Sequence, residues 1–431
     1  MTFLINSLKL ISILSLVLLI GCGNESRSER ESDKIKTVSE KEIAPKAQNH
    51  NKIDVDIFMH DSKSMNGFRF VGSQFGNEIH SFFNKLEDPQ NQLISSIKSF
   101  LLKMDSEIKI NSLGGGINKL ADHIDQANKI DGNSNQILKG VNKDYSKMLD
   151  AVINQTMKQP NGVSAFISDL VYYPGDAEGK NLQAYLTGQS QRVRTTFQTV
   201  LSKYPDLCLI LLRGVSDYRW DKKDSQGRPF YLIFVGRKKD LQPVMGFAQK
   251  NWPGKYFWFE LIKSTSTPKV IIAREHNWAK GTYKSDHQNE NLIKEPCTRG
   301  NSPFSFVSEV ELNSFNGIEY LVTDSRKYKG ADWTVEKIGK EPKYLPNMEE
   351  AYQFEISTKG NLNPSQFEIK LPYSLPTWIP ESSHIEYPCG PISDPKYSGK
   401  TFGFDPLING IVDAYHIGEK DLLQLNFRIT K

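Results

Sequence analysis

Apolar residues between positions 53 and about 250 follow two alternating spacings, one typical of strands and one typical of helices. Apolar or alternating runs predict strands at residues 53–59, 107–113, 163–169, 207–212 and 231–235. Helical spacing predicts helices at residues 77–103 (broken near Pro89), 143–157, 182–203 and 241–249. Strands that alternate with helices indicate an α/β fold with a doubly wound, mostly parallel sheet and helices on both faces.

The pattern changes after about residue 255, where the helical spacing fades. Short alternating segments separated by Pro and Gly predict strands at residues 256–262, 270–273, 304–310, 352–356, 366–371 and 423–429. One helix is predicted near residues 406–415. We therefore expect two folded parts, an α/β domain at residues 53–252 and a β-rich domain of sandwich type at residues 253–431.

Composition narrows the class of partner. The chain has 431 residues, of which 38% are hydrophobic and 24% are charged, as in a globular protein. The net charge is only +4, and no Lys/Arg block is dense enough to follow a phosphate backbone. We therefore expect no nucleic acid partner.

The N-terminus carries an export signal. An apolar run over residues 10–20 ends in Leu-Ile-Gly-Cys at Cys22, and this resembles the bacterial lipobox. The resemblance implies that residues 1–21 are a signal peptide and that Cys22 is lipidated as the first residue of the mature protein. An uncleaved membrane anchor is the alternative, and both tether the body to a membrane outside the cytoplasm. Gly23 after the cysteine favours the outer membrane of the cell envelope.

Residues 22–52 hold almost no apolar side chains, so they predict a disordered tether between the lipid and the body. The remaining cysteines fit an exported protein. Cys208 lies inside an apolar run and is predicted to be buried, whereas Cys297 and Cys389 lie in Pro-flanked loops. In an oxidising compartment these two favour a disulfide, and without nearby histidines they do not indicate a zinc site.

A polar motif follows the first predicted strand. Residues 60–67 read His-Asp-Ser-Lys-Ser-Met-Asn-Gly, and a later strand ends in Ser168-Asp169. In doubly wound folds the carboxyl ends of the parallel strands form the edge at which ligands bind. We therefore expect Ser62, Ser64 and Asp169 to lie at the same edge.

The motif resembles the metal-ion-dependent adhesion site of the von Willebrand factor A domain family, over about residues 53–250. Ser62 and Ser64 match the two serines of that site, Ser146 is the candidate for its threonine, and Asp169 matches its aspartate. The resemblance implies a doubly wound fold and a Mg²⁺ or Mn²⁺ ion that holds a partner's carboxylate. Hydroxyl and carboxylate oxygens are the hard ligands that such ions prefer.

One position departs from the family pattern, because His60 stands where the family has its first aspartate. Histidine supplies a nitrogen, and a positive charge at low pH. Asp61 could replace that aspartate only after a one-residue shift, which would turn its side chain to the other face. The structural alternative is that Ser62 and Ser64 cap the next helix and that Asp169 caps a turn.

These observations predict a membrane-anchored envelope lipoprotein whose α/β domain binds a protein partner, with or without a divalent metal. A metal-dependent hydrolase acting at the same sheet edge is one alternative, although the sequence offers no nucleophile with a paired base. A structural lipoprotein with a metal-free domain is the other.

Overall fold

The computed structural model describes residues 52–104, 106–126, 144–172, 181–220, 223–274, 276–286, 288–298, 300, 302–340, 348, 351–360, 362–386 and 398–431. Residues 50–431 form one compact unit. No helix in these described ranges is both long enough and apolar enough to cross a membrane. The predicted signal peptide, Cys22 and nearly all of the predicted tether lie outside the described residues.

The helices of the described part are α1 Gln74–Glu87, α2 Ile117–Asp125, α3 Tyr145–Met157, α4 Leu182–Lys203, α5 Lys238–Asn251, α6 Trp378–Glu381 and α7 Phe404–Tyr415. The strands of the α/β part are β1 Ile53–His60, β2 Ile94–Met104, β3 Ile108–Ser112, β4 Gly162–Ser168, β5 Leu207–Trp220, β6 Lys223–Arg237 and β7 Lys255–Phe259. The later strands are β8 Val270–Ile272, β9 Thr282–Ser285, β10 Leu292–Cys297, β11 Phe304–Glu311, β12 Trp333–Lys340, β13 Ala351–Thr358, β14 Ser365–Pro372, β15 Ser383–His384, β16 Thr401–Phe402 and β17 Asp421–Thr430.

The largest sheet has seven strands in the order β3-β2-β1-β4-β6-β5-β7. β1 pairs in parallel with β2 and β4, whereas all the other neighbours in this sheet are antiparallel. The fold is therefore mixed α/β, and the prediction of a mostly parallel sheet is wrong. β5 and β6 pair from Leu207 with Arg237 to Trp220 with Lys223. Only residues 221–222 separate these two strands, and a parallel crossover needs a dozen residues or more.

The predicted helix at residues 77–103 is correct only in its first half. α1 ends at Glu87, just before Pro89, and residues 94–104 form β2 between β1 and β3. Both faces of β2 carry apolar side chains, so its apolar positions do not alternate strictly. Periodicity alone does not separate such a strand from a buried helix.

Helices cover both faces of the large sheet. Phe82 of α1 contacts Phe234 of β6 and Phe247 of α5, and α2 packs beside α1. On the other face, Phe404 of α7 stacks on Tyr231 of β6 at a ring separation of 4.4 Å. α7 packs on α4, and α4 packs on α3. Residues 231 and 234 point to opposite faces, as the alternation of side chains in a strand requires.

The C-terminal half contains two four-stranded sheets, β14-β17-β10-β9 and β12-β13-β11-β8. Aromatic side chains join them: Trp333 stacks on Phe367 at 4.1 Å, and Phe306 contacts Phe427 at 5.3 Å. β7 follows the predicted domain boundary at 252/253, yet it pairs with β5 in the large sheet. The sheet of the α/β part therefore extends beyond that boundary.

Asp56 in the middle of β1 makes stability depend on pH. It is buried and accepts a hydrogen bond from Gln159 Nε2 at 2.9 Å. Burial raises its pKa, against the lowering effects of Gln159 and Lys98. The folded state therefore binds this proton more tightly than the unfolded state does. Stability is lost as pH rises from the ordinary aspartate pKa through the raised one.

We expect Asp56→Asn to unfold at higher urea concentration than the wild type at pH 7, and at a similar concentration near pH 3. The amide can still accept from Gln159, and it carries no buried charge. Asp122→Asn, at an exposed position of α2, controls for the loss of one negative charge. A lower midpoint for Asp56→Asn at pH 7 would contradict this assignment.

Candidate functional site

The carboxyl ends of β1 and β4 meet at one edge of the large sheet. The strands pair in parallel up to Met59 with Ile167, so His60 and Ser168 follow side by side. The polar motif at residues 61–67 continues from β1, and Asp169 continues from β4. The structure therefore places both polar segments at this edge, which we call the β1–β4 edge.

His60 lies beneath the β1–β4 edge and points toward α3. The side chain is 2% exposed, and its Nδ1 lies 2.9 Å from the Ser168 hydroxyl oxygen. Its ring contacts Tyr145 and Phe166 at centroid distances of 5.9 and 6.0 Å. The imidazole is therefore part of the packed interior.

Ser62 directly precedes a 3₁₀ turn at residues 63–68, and Ser64 lies within that turn. Their hydroxyl oxygens are 3.1 Å apart, and both residues are half-buried. Ser62 caps the turn, because its hydroxyl accepts from the Met65 N–H at 3.4 Å. The Tyr218 hydroxyl donates to the Ser64 carbonyl at 3.0 Å. The structural role considered for Ser62 is thus present, and the paired hydroxyls remain accessible in part.

Ser146 is held in a local cap at the start of α3. The Asp144 carboxylate accepts from both the backbone N–H and the hydroxyl of Ser146. Asp144 also pairs with Arg192 at 3.5 Å. The sequence interpretation missed Asp144, although an aspartate just before a helical pattern is a usual N-cap signal.

Asp169 is buried and closes a sharp bend after β4. Its carboxylate accepts from the Val171 N–H at 3.4 Å, and the Ser168 hydroxyl accepts from the Leu170 N–H at 3.1 Å. Between them, fully buried Leu170 has a φ of 50°. This left-handed conformation is unfavourable for leucine, so side-chain bonds and packing hold the backbone in a strained form.

Arg228 and Asp169 interact electrostatically. Burial lowers the pKa of Arg228, and the interactions with Tyr218 and Asp169 oppose this effect. The Arg228 guanidinium lies 5.4 Å from the centre of the Tyr218 ring. Burial, and then Asp169, raise the pKa of Tyr218. Asp169, Tyr218 and Arg228 therefore form one electrostatic group beneath Ser64.

A second arginine organises the neighbouring part of the edge. Buried Arg69 lies 3.9 Å from Asp61, donates to Asn66 Oδ1 at 3.0 Å and donates to the His123 carbonyl at 3.0 Å. Burial lowers its pKa, and Asp61 opposes this. Asp61 thus faces an arginine and does not take the place of the missing aspartate.

The residues of the β1–β4 edge fit a hard divalent ion poorly. His60 offers a nitrogen that already contacts Ser168, and the Ser146 hydroxyl is bonded to Asp144. Asp169 already interacts electrostatically with the positively charged Arg228. Among the residues that the structure describes, no group of three or more His, Cys, Asp or Glu side chains could hold a metal ion.

Two of the cysteines considered above, Cys208 and Cys297, lie in the described part of the chain. Cys208 is buried as predicted, and burial raises the pKa of its thiol. The Cys297 thiol is exposed and contacts the Thr298 carbonyl oxygen at 3.5 Å. Its predicted partner Cys389 lies outside the described residues, so the disulfide stays a prediction.

Comparison with known proteins assigns no family to the chain. No protein-family model matches the chain, and no curated protein or solved structure is significantly similar to it. The resemblance to the von Willebrand factor A family therefore rests on the motif residues at the β1–β4 edge.

Proposed function

We propose that this chain is a lipid-anchored envelope protein whose von Willebrand factor A-like part binds a protein partner at the β1–β4 edge without a metal ion. The burial of His60 is the observation that carries the proposal: its Nδ1 lies 2.9 Å from the Ser168 hydroxyl oxygen, at the position where the family that this site resembles has its first aspartate. A histidine offers no carboxylate oxygen to a hard divalent ion. Asp169 also interacts electrostatically with Arg228, whose charge has the same sign as that of a metal ion.

The exposed part of the edge suits protein recognition. The hydroxyls of Ser62 and Ser64 each donate and accept hydrogen bonds. The carboxylate of Asp61 is about one-third exposed beside them. The cap that Ser62 forms and the bond from the Tyr218 hydroxyl to the Ser64 carbonyl hold these groups on one short, well-anchored turn. Preorganised polar groups lose little freedom when a partner binds.

A hydrolase with a serine nucleophile, which differs from the metal-dependent hydrolase considered in the sequence analysis, has one feature in its favour and one against it. Ser168 and His60 are separated by 2.9 Å, a distance suited to a nucleophile and its base. However, Ser168 is completely buried and His60 is 2% exposed. A substrate cannot reach that hydroxyl in this conformation, so we favour binding over hydrolysis.

The envelope location is supported by the lipobox-like residues that end in Cys22 and by the polar segment that follows. The composition of residues 22–52 predicts a disordered tether, and a disordered chain of that length would have an average reach of roughly 30 Å. This reach would hold the folded body clear of the lipid headgroups, with the β1–β4 edge available to a partner.

The test is capture of a partner from envelope extracts by the full-length protein in detergent, with and without EDTA. Replacing both Ser62 and Ser64 by alanine should weaken the captured complex about tenfold, because two hydroxyl hydrogen bonds are lost. EDTA should change nothing. Ser202→Ala, an exposed serine at the far end of α4, is the matched control.

Two results would overturn the proposal. Loss of the partner on EDTA treatment, restored by Mg²⁺, would mean that a metal is required. A complex that survives the double alanine variant unchanged would place the contact elsewhere on the body.

A further inference from the structure

A polar cleft lies between α1, the β5–β6 hairpin and the end of α5. Its volume is about 770 Å³, within the range of small-molecule sites. Neither Ser62, Ser64 nor Asp169 lines it. The cleft is therefore separate from the residues used in the proposed function.

The lining is rich in planar polar groups. Four of its side chains are carboxamides and two are carboxylates: Gln74, Asn77, Gln226, Asn251, Glu78 and Asp217. A carboxamide offers donors and an acceptor, and a carboxylate accepts only. A ligand that fills this cleft must therefore supply several hydrogen-bond donors and some acceptors.

One carboxylate oxygen of Glu78 lacks a hydrogen-bond donor in the described part of the chain. Its Oε1 accepts from Gln74 Nε2 at 2.8 Å, whereas its Oε2 is buried and has no hydrogen-bond partner among the described residues. Burial raises the pKa of this carboxyl, against the opposing effect of Gln74. A buried acceptor without a donor is rare in native structures and calls for an explanation.

The charges of the lining exclude two ligand classes. Lys85 is the single cationic side chain among the lining residues, against the carboxylates of Glu78 and Asp217. A phosphate or other anion would meet a net negative wall. An apolar ligand would leave the carboxamides and carboxylates without water or partners, which is costly.

We infer that this cleft binds a neutral oligosaccharide. Each sugar hydroxyl donates one bond and accepts others, which matches neighbouring carboxylates and carboxamides such as Glu78 and Asn77. Pro253, which is exposed, gives the cleft an apolar contact for the C–H groups of a sugar ring. Because Oε2 of Glu78 is buried in the ligand-free conformation, this side chain would have to turn toward the cleft to accept from a sugar hydroxyl, which would supply the donor that Oε2 lacks.

The experiment uses the full-length protein in detergent and neutral trisaccharides of glucose, mannose and N-acetylglucosamine, with calorimetry as the readout. We expect saturable binding of at least one of the three. Asn77→Ala and Glu78→Gln should each weaken it about tenfold, as the loss of one hydrogen bond to the ligand predicts. Glu78→Gln retains the size of the side chain, and thermal unfolding confirms that it folds.

Asn84→Ala is the matched control, because Asn84 is an exposed asparagine of α1 that does not line the cleft. The inference fails if none of the trisaccharides binds at concentrations on the order of 10 mM. It also fails if binding is unchanged in both cleft variants, or if Asn84→Ala weakens it equally.

Discussion

Replacing Gly410 by alanine is expected to lower the free energy of unfolding by about 2 kcal/mol. Gly410 lies inside α7, where α7 crosses α4. A Cβ at this position would lie 2.5 Å from the Ser190 carbonyl oxygen and 2.9 Å from Val193 Cβ. Because the first of these contacts is with backbone, the two helices would have to separate. Alanine would otherwise stabilise a helix relative to glycine.

Gly188→Ala provides the control for this prediction. Gly188 lies in α4, and no atom lies within 4 Å of a Cβ built there. This variant should raise the free energy of unfolding by about 0.5–1 kcal/mol. Urea unfolding of both variants measures the difference. If both become more stable, the close approach of α7 to α4 is wrong, and with it the attachment of the C-terminal helix to the α/β part.

His60→Asp is expected to lower the free energy of unfolding by about 3 kcal/mol at pH 7. The new carboxylate would be enclosed by Tyr145, Phe166 and Ser168 at a position that is 2% exposed. Burial penalises the charged form, so the loss should shrink as the pH falls and the introduced carboxyl takes up a proton.

The variant His60→Asn distinguishes the effect of the introduced charge on stability from the effect of the changed side-chain shape. The amide is polar and can bond to Ser168, but it carries no charge, so we expect a smaller loss. Thermal unfolding of both variants at pH 5 and pH 8 measures the contrast. Equal losses at both pH values, or a variant His60→Asp as stable as the wild type, would mean that position 60 is open to solvent or to a cation.

The elements that sequence predicted well are those with strong local periodicity. α3 and α4 match their predicted bounds closely, because one face of each carries regularly spaced buried side chains such as Val152 and Phe197. α5 and α7 were also found. α2 was missed, although Ile117, Leu120 and Ile124 have helical spacing, because the segment is only nine residues long.

Sheet direction could not be predicted in the same way. The alternation of apolar residues in β5 and β6 is the same whether the strands are parallel or antiparallel. β5 and β6 are antiparallel because both strands continue through polar residues to a short connection at residues 221–222. The spacing of apolar residues did not predict these polar parts as strand. The prediction of residues 94–103 as helix was wrong for a related reason. β2 lies between β1 and β3 and carries apolar side chains on both faces.

In the candidate site, too, local sequence predicts some features and does not predict others. Ser62, Ser64 and Asp169 follow strand ends, so their place at the β1–β4 edge follows from local pattern. Asp169 interacts electrostatically with Arg228 of β6, which is 59 positions away in the chain. Arg69 likewise donates to the His123 carbonyl, 54 positions away. No local sequence signal indicates which distant groups these arginines interact with.

The most direct test of a metal-independent edge is a calorimetric titration of Mg²⁺ and Mn²⁺ into the full-length wild-type protein in detergent, with Asp169→Ala beside it. The account predicts no saturable heat for either ion, and no change in the unfolding temperature when the ion is present. Saturable binding in the wild type that Asp169→Ala abolishes would contradict it. That result would mean that the serines and aspartate of the β1–β4 edge hold a divalent ion despite His60 and Arg228.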